Sequence, residues 1–139
     1  MRFISAVLTK DSVEFLKSNF KILFAVDQLK EDQYLHHVTL AYKPNKFEEA
    51  EIKLWDIDGT CKVILKEMVY NSEIENQAIT VDVVNSRGEK LDSEGRIFHI
   101  TVSTGNKPPV TSNDLLKNRS TADIEQINSI KIDAIIQYL

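Results

Sequence analysis

Two short stretches of this chain alternate apolar and polar residues in the same way. In Phe98-His99-Ile100-Thr101-Val102-Ser103, Phe98, Ile100 and Val102 take every second position, and His99, Thr101 and Ser103 fill the others. Side chains on a strand have a period of two, so the pattern predicts a β-strand with an imidazole and two hydroxyls on one face. His37-Val38-Thr39-Leu40-Ala41-Tyr42 repeats it, with His37 and Thr39 opposite Val38 and Leu40. Tyr42 falls in phase with the apolar pair. That predicts a core-packed ring, with base stacking as its lesser option. His36 faces away from His37, which makes it a core or surface residue.

The remaining periodicities predict the frame around these strands. Arg2 to Leu8 alternates loosely and reads as a first strand. Asp11, with Glu14 three residues on, has the pattern of a capping box, and Val13, Leu16 and Phe20 follow at helical spacing, so a helix is predicted over 12–20. Ile22 to Val26 reads as a strand or buried loop, and Asp27 to Gln33 as a polar loop. Lys43-Pro44-Asn45 ends the first motif strand, because proline has no N–H for the ladder. Phe47 to Leu54 is rich in helix formers, with Phe47 and Trp55 expected in packing contacts. Cys61 to Tyr70 and Gln77 to Val84 predict an antiparallel hairpin, with Glu67 interrupting the alternation of the first strand. Asn85 to Arg96 reads as a surface loop, mobile or able to close over a ligand. After Gly105-Asn106-Lys107-Pro108-Pro109, Ser112 to Leu116 has the pattern of a capped helical turn. Ala122 to Ile130 is weakly helical, and Ile132 to Leu139 is a closing strand. The sum is α+β with mostly antiparallel pairing, each half supplying one His-x-Thr strand.

Composition narrows the picture. A chain of 139 residues, 42% hydrophobic and 27% charged, is expected to form one globular domain over 1–139. No apolar run reaches the roughly 18 residues that span a bilayer, which argues against a membrane partner. The N-terminus lacks a signal-peptide cleavage pattern, and the single Cys61 suits a reducing, cytoplasmic setting. One cysteine and three histidines give no zinc-ligand spacing, so neither a metal nor a cofactor is expected. A formal net charge of −4 disfavours long duplex nucleic acid, whose binding requires many phosphates to be neutralised. A small nucleotide or a short RNA end remains compatible with it. The oligomeric state is left open.

Two imidazoles and two hydroxyls brought to one groove are the parts for metal-free chemistry at a phosphodiester. Imidazole titrates near neutrality, about 6.5, so one histidine can act as base while the other acts as acid. Threonine hydroxyls can hold the non-bridging oxygens. His37-Val38-Thr39-Leu40 and His99-Ile100-Thr101-Val102 resemble the paired signature of the 2H phosphoesterase superfamily. The flanks Ala41-Tyr42-Lys43 and Ser103-Thr104-Gly105, followed by Lys107-Pro108-Pro109-Val110 and Ser112-Asn113, are similar to the cyclic phosphodiesterase domain of tRNA ligases and related RNA-repair proteins. The resemblance implies a bilobal, pseudo-symmetric fold with a groove between two antiparallel sheets and short helices outside. It also implies metal-independent hydrolysis of a 2′,3′-cyclic phosphate to a 2′-phosphate, on an RNA end or a small cyclic nucleotide. His37 and His99 are then the catalytic pair. Thr39 and Thr101 bind phosphate, and Ser103, Lys107 and Tyr42 are further substrate contacts. Lys43, Arg87, Lys90 and Arg96 are other candidate phosphate partners. Superfamily members that degrade cyclic oligonucleotide signals, as phage counter-defence, supply a second reading, and a non-catalytic nucleotide-binding module a third.

Overall fold

The computed structural model describes residues 3–20, 35–71, 76–92, 95–104, 112, 116 and 123–139. Six strands carry the architecture: β1 (Phe3–Leu8), β2 (His37–Tyr42), β3 (Thr60–Asn71), β4 (Asn76–Asn85), β5 (His99–Thr104) and β6 (Asp123–Tyr138). Two helices accompany them, α1 (Lys10–Ser18) and α2 (Lys46–Trp55). The α+β class and the antiparallel pairing are as the sequence predicts. In place of two separate sheets, however, the strands close into one barrel-like sheet in the order β1-β2-β5-β4-β3-β6, with β6 returning to β1.

The inward residues form a continuous core. Ile4, Val38, Val63, Ile79 and Ile100 come from five different strands, and each is fully buried at 0% exposure. Burying a Val or Ile side chain is worth roughly 1.5–3 kcal/mol, so these residues fix which face of each strand points inward. A one-residue slip would turn that set out to water.

Local chemistry sets the element ends. Helix α1 begins two residues earlier than predicted. Thr9, and not Asp11, is the N-cap, and its hydroxyl accepts from the Ser12 amide at 3.2 Å. Helix α2 carries a full capping box, in which Asn45 accepts from the Glu48 amide at 2.8 Å and Glu48 accepts from the Asn45 amide. The interruption at Glu67 is a bulge. Leu65 pairs with Val81 and Glu67 with Thr80, so β3 spends two steps on one step of β4. The phase shifts there, and Met68 takes the inward place in the main core.

One expectation fails outright. Residues 123–130, read as weakly helical, are strand, continuous with the closing segment in β6. Tyr70, Val69, Met68 and Glu67 on β3 pair with Asp123, Ile124, Glu125 and Gln126. Ladder bonds along so long a neighbour outweigh a weak local preference. The 85–96 loop is partly folded back onto the barrel. Asn85 accepts from the Arg87 and Glu89 amides, Lys90 bridges Val84, and Leu91 is buried with its amide on the Val83 carbonyl. No described helix is long and apolar enough to cross a membrane. The predicted segments at 22–33 and 105–109 lie outside the described residues, while Ser112 and Leu116 are both helical.

Candidate active site

The two motif strands meet at a single bridge, Val38 with Ile100. Both residues are fully buried, so the apolar half of each motif is anchored in the core. The alternate residues His37, Thr39, His99 and Thr101 therefore lie on the outer face of the sheet. Antiparallel register around the bridge sets His37 across from Thr101 and Thr39 across from His99. His99 lies near enough for its charge to add, least of three causes, to the lowering of the His37 pKa.

Each strand is broken just past its threonine. Thr39 pairs with Ser5 and Ala41 with Ile4, so Leu40 is an extra residue in β2. Thr101 pairs with Ala78 and Ser103 with Gln77, so Val102 is the extra residue in β5. Bulges bend a strand and re-aim the residues beside them. The two motifs thus share a backbone feature that their sequences do not announce.

The imidazoles differ in how they are held. His99 is half-buried, and its Nδ1 lies 2.9 Å from the Ile97 carbonyl. A carbonyl only accepts, so Nδ1 carries the proton and Nε2 is the reactive nitrogen. Burial pushes the His99 pKa below its ordinary value, the Ile97 carbonyl opposes this, and the Arg96 charge adds to the lowering. His37 keeps a solvent-exposed edge. Its Nδ1 lies 3.0 Å from Nδ1 of His36, with the rings edge to face, so one proton is shared between them. Burial among its neighbours, then His36, then His99 lower its pKa. His36 is an exposed surface residue, yet it touches the site.

The hydroxyls differ as well. Thr101 Oγ1 lies 3.1 Å from Ser112 Oγ, and Ser112 donates to Asn76 Oδ1 at 3.0 Å. Ser112 and Asn76 are both at 0% exposure. Thr39 has no side-chain hydrogen bond to any described residue. Sequence reasoning had Ser112 in a capped helical turn and in the family-like flank, without a contact to Thr101, and gave Asn76 no role at the site. A second row was also missed. Thr80 pairs with His99 across β4 and donates to Glu67 at 3.2 Å, and Gln126 donates to the other Glu67 oxygen at 3.0 Å.

Tyr42 is not in the core. It is 53% exposed, because the Leu40 bulge gives the inward place to Ala41 and turns Tyr42 outward. Its ring packs against Phe3 at 5.3 Å and under the Lys43 ammonium. The Ser103 side chain and Lys107 lie outside the described residues. Arg96 reaches the Leu40 carbonyl at 3.4 Å, and Lys90 pairs with Asp82 at 3.3 Å. Phe47, expected to pack, is 67% exposed. Trp55 is half-buried, and its indole N–H donates to the Glu89 carbonyl. Cys61 is buried, and burial plus Asp56, Asp133 and Asp58 push its thiol up to about 12, so it is inert as a nucleophile.

Two imidazoles with lowered pKa values and two threonine hydroxyls thus lie on one face of the motif strands. The chain belongs to the fungal tRNA ligase phosphodiesterase domain family, whose sequence model matches residues 26–137. That span includes both motif strands, and membership makes the chain, in general terms, a phosphodiesterase domain with RNA as its substrate class. No curated protein matches the chain.

Proposed function

We propose that the chain hydrolyses a 2′,3′-cyclic phosphate to a 2′-phosphate by two-histidine acid–base catalysis without a metal. The observation that carries this reading is the single Val38–Ile100 bridge with a His-x-Thr motif on each side of it. One imidazole takes a proton from the attacking water as its oxygen bonds to phosphorus. The other donates a proton to the 3′-oxygen as the ring P–O bond breaks. Thr39 and Thr101 hold the phosphate ester between them. The thinly paired seam between β2 and β5 serves as the groove between two lobes, and Tyr42 offers an exposed ring to a nucleobase.

A substrate panel resolved by chromatography tests this. Nucleoside 2′,3′-cyclic phosphates and short RNAs with that end should yield 2′-phosphates, and EDTA should leave the rate unchanged. Turnover of cyclic di- or trinucleotides only would move the substrate to signalling nucleotides. Tight nucleotide binding with no turnover would make the chain a binding module.

A further inference from the structure

A cavity of about 220 Å³ opens on the outer face of the sheet beside His99, and the chemistry at the two histidines leaves it without a role. Its walls carry Lys66, Lys90 and Arg96 against two carboxylates, Glu67 and Asp82. The bulge in β3 helps to build it. Leu65 and Met68 both point into the core, so Lys66 and Glu67 stand on the outer face in succession. Asp82 is shared, with the Lys90 ammonium 3.3 Å and the Lys66 ammonium 3.7 Å from its Oδ1. One carboxylate between two ammoniums leaves positive charge over. Both Glu67 oxygens are engaged, by Thr80 and Gln126. The Arg96 guanidinium goes to the neutral Leu40 carbonyl and forms no ion pair with a described residue. In a chain of net charge −4, this excess of cations is local.

The ladder fixes where the cavity lies. Thr80, on its wall, is the partner of His99, about 5 Å away across the ladder, and Asp82 is about 7 Å farther along β4. That is about the spacing of neighbouring phosphates along a nucleic-acid strand. The cavity is smaller than the roughly 300–1,000 Å³ of pockets that enclose a whole ligand, so it suits a phosphate group and not a nucleoside. We propose that Lys66, Lys90 and Arg96 form a second phosphate subsite, which takes the 5′-phosphate of the nucleotide whose cyclic phosphate lies at the histidines. In an RNA strand that group is the diester joining the last nucleotide to its neighbour. The assignment rests on the phosphodiesterase reading for the place of the cyclic phosphate. It makes the preferred substrate a strand end and not a lone nucleoside cyclic phosphate. The lysines supply the charge that Asp82 leaves over, and the planar guanidinium of Arg96 matches two phosphate oxygens.

Substrates with and without the 5′-phosphate test this. For the wild type, a nucleoside 2′,3′-cyclic phosphate bearing a 5′-phosphate, and a dinucleotide with the same cyclic end, should each show a KM about tenfold below that of the 5′-hydroxyl form. Lys66→Ala/Lys90→Ala should shrink this preference to less than about twofold, as should raised salt. Lys53→Ala, which removes a cation from α2, should leave the preference intact. Equal KM values in the wild type, or a preference that the double variant keeps, overturn the subsite. A preference for the dinucleotide without one for the 5′-phosphate overturns it too, since the contact would then be to the second nucleoside. Calorimetry reads the subsite without turnover. A nucleoside 2′,5′-bisphosphate should bind about tenfold more tightly than the 2′-phosphate, and only while both lysines are present. Absence of wild-type turnover would sink the phosphodiesterase reading, and the bisphosphate comparison would still decide the subsite.

Discussion

The two His-x-Thr strands look equivalent in sequence and share a bulge just past the threonine, yet their surroundings are unlike. In β5, His99 is oriented by the Ile97 backbone carbonyl and Thr101 by the buried Ser112–Asn76 pair. In β2, His37 leans on the side chain of exposed His36, and Thr39 has no side-chain partner among the described residues. One motif is held by fixed, buried groups and the other by a titratable neighbour. A rigid half and an adjustable half suit the proposed chemistry, in which the site binds an anion and passes protons in both directions. Preorganised groups stabilise developing charge without reorganising, and a solvent-facing histidine responds to what binds.

The harshest way to probe the comparison is to delete each imidazole. His37→Ala and His99→Ala should each lower kcat by about 10²–10⁴-fold, with circular dichroism unchanged because both rings sit on the outer face. The double variant should be scarcely slower than the worse single one, since acid and base act in one step. Appreciable turnover in either single variant would end the two-histidine mechanism.

Next come the hydroxyls, where the halves should diverge. Thr39→Val should raise KM for a cyclic phosphate by about tenfold, as a lost hydrogen bond to a charged group would. Thr101→Val should raise it by less, because Ser112 and Asn76 already engage the Thr101 hydroxyl. Indistinguishable kinetic profiles for the two would show that the unequal surroundings carry no chemical consequence.

How far these features could be read in advance differs by kind. The inward faces of β2 and β5 were legible, because Val38, Leu40, Phe98, Ile100 and Val102 follow a period of two that the core enforces. The hairpin and the break at Glu67 were legible for the same reason. Closure of the sheet was not, since it depends on β6 pairing with both β1 and β3. No local pattern at 123–130 encodes those partners. The outward turn of Tyr42 was hidden too, because a bulge at Leu40 is set by the register with β1 and alternation assumes none. At the site, the histidines and threonines were visible as a motif. Asn76 and Thr80 were not, because each is brought there by a contact across the fold, and Ser112 showed only as part of the similar flank, its contact with Thr101 being set by the fold.

A finer test uses pH. Both imidazoles have pKa values below the ordinary 6.5. The two flanks of the kcat/KM profile report the free protein, so its maximum should fall on the acid side of about pH 6.5. His36→Ala removes a neighbouring positive charge from His37, so the flank belonging to His37 should move up. The His99 flank should stay, because Arg96 and not His36 bears on it. Imidazole proton shifts followed through the same titration separate the two rings. A shift of both flanks together would mean that the halves are coupled more tightly than their separate supports suggest.

The smallest expected effect is on stability, and its sign follows from the same lowering. A histidine harder to protonate when folded is protonated more readily in the unfolded chain. Above the unfolded value of about 6.5 both states are neutral and there is no effect. As pH falls through that value toward the lower folded ones, the unfolded state gains protons first and stability drops. The melting temperature should therefore decline from pH 7 to pH 5, beyond any loss from carboxylates, whose window lies lower. His99→Gln should flatten this decline more than His37→Gln. His99 is the more enclosed ring, whereas the exposed edge of His37 lets water screen much of its share. The reverse ranking would make His37 the more tightly enclosed group and undo the contrast between the two halves.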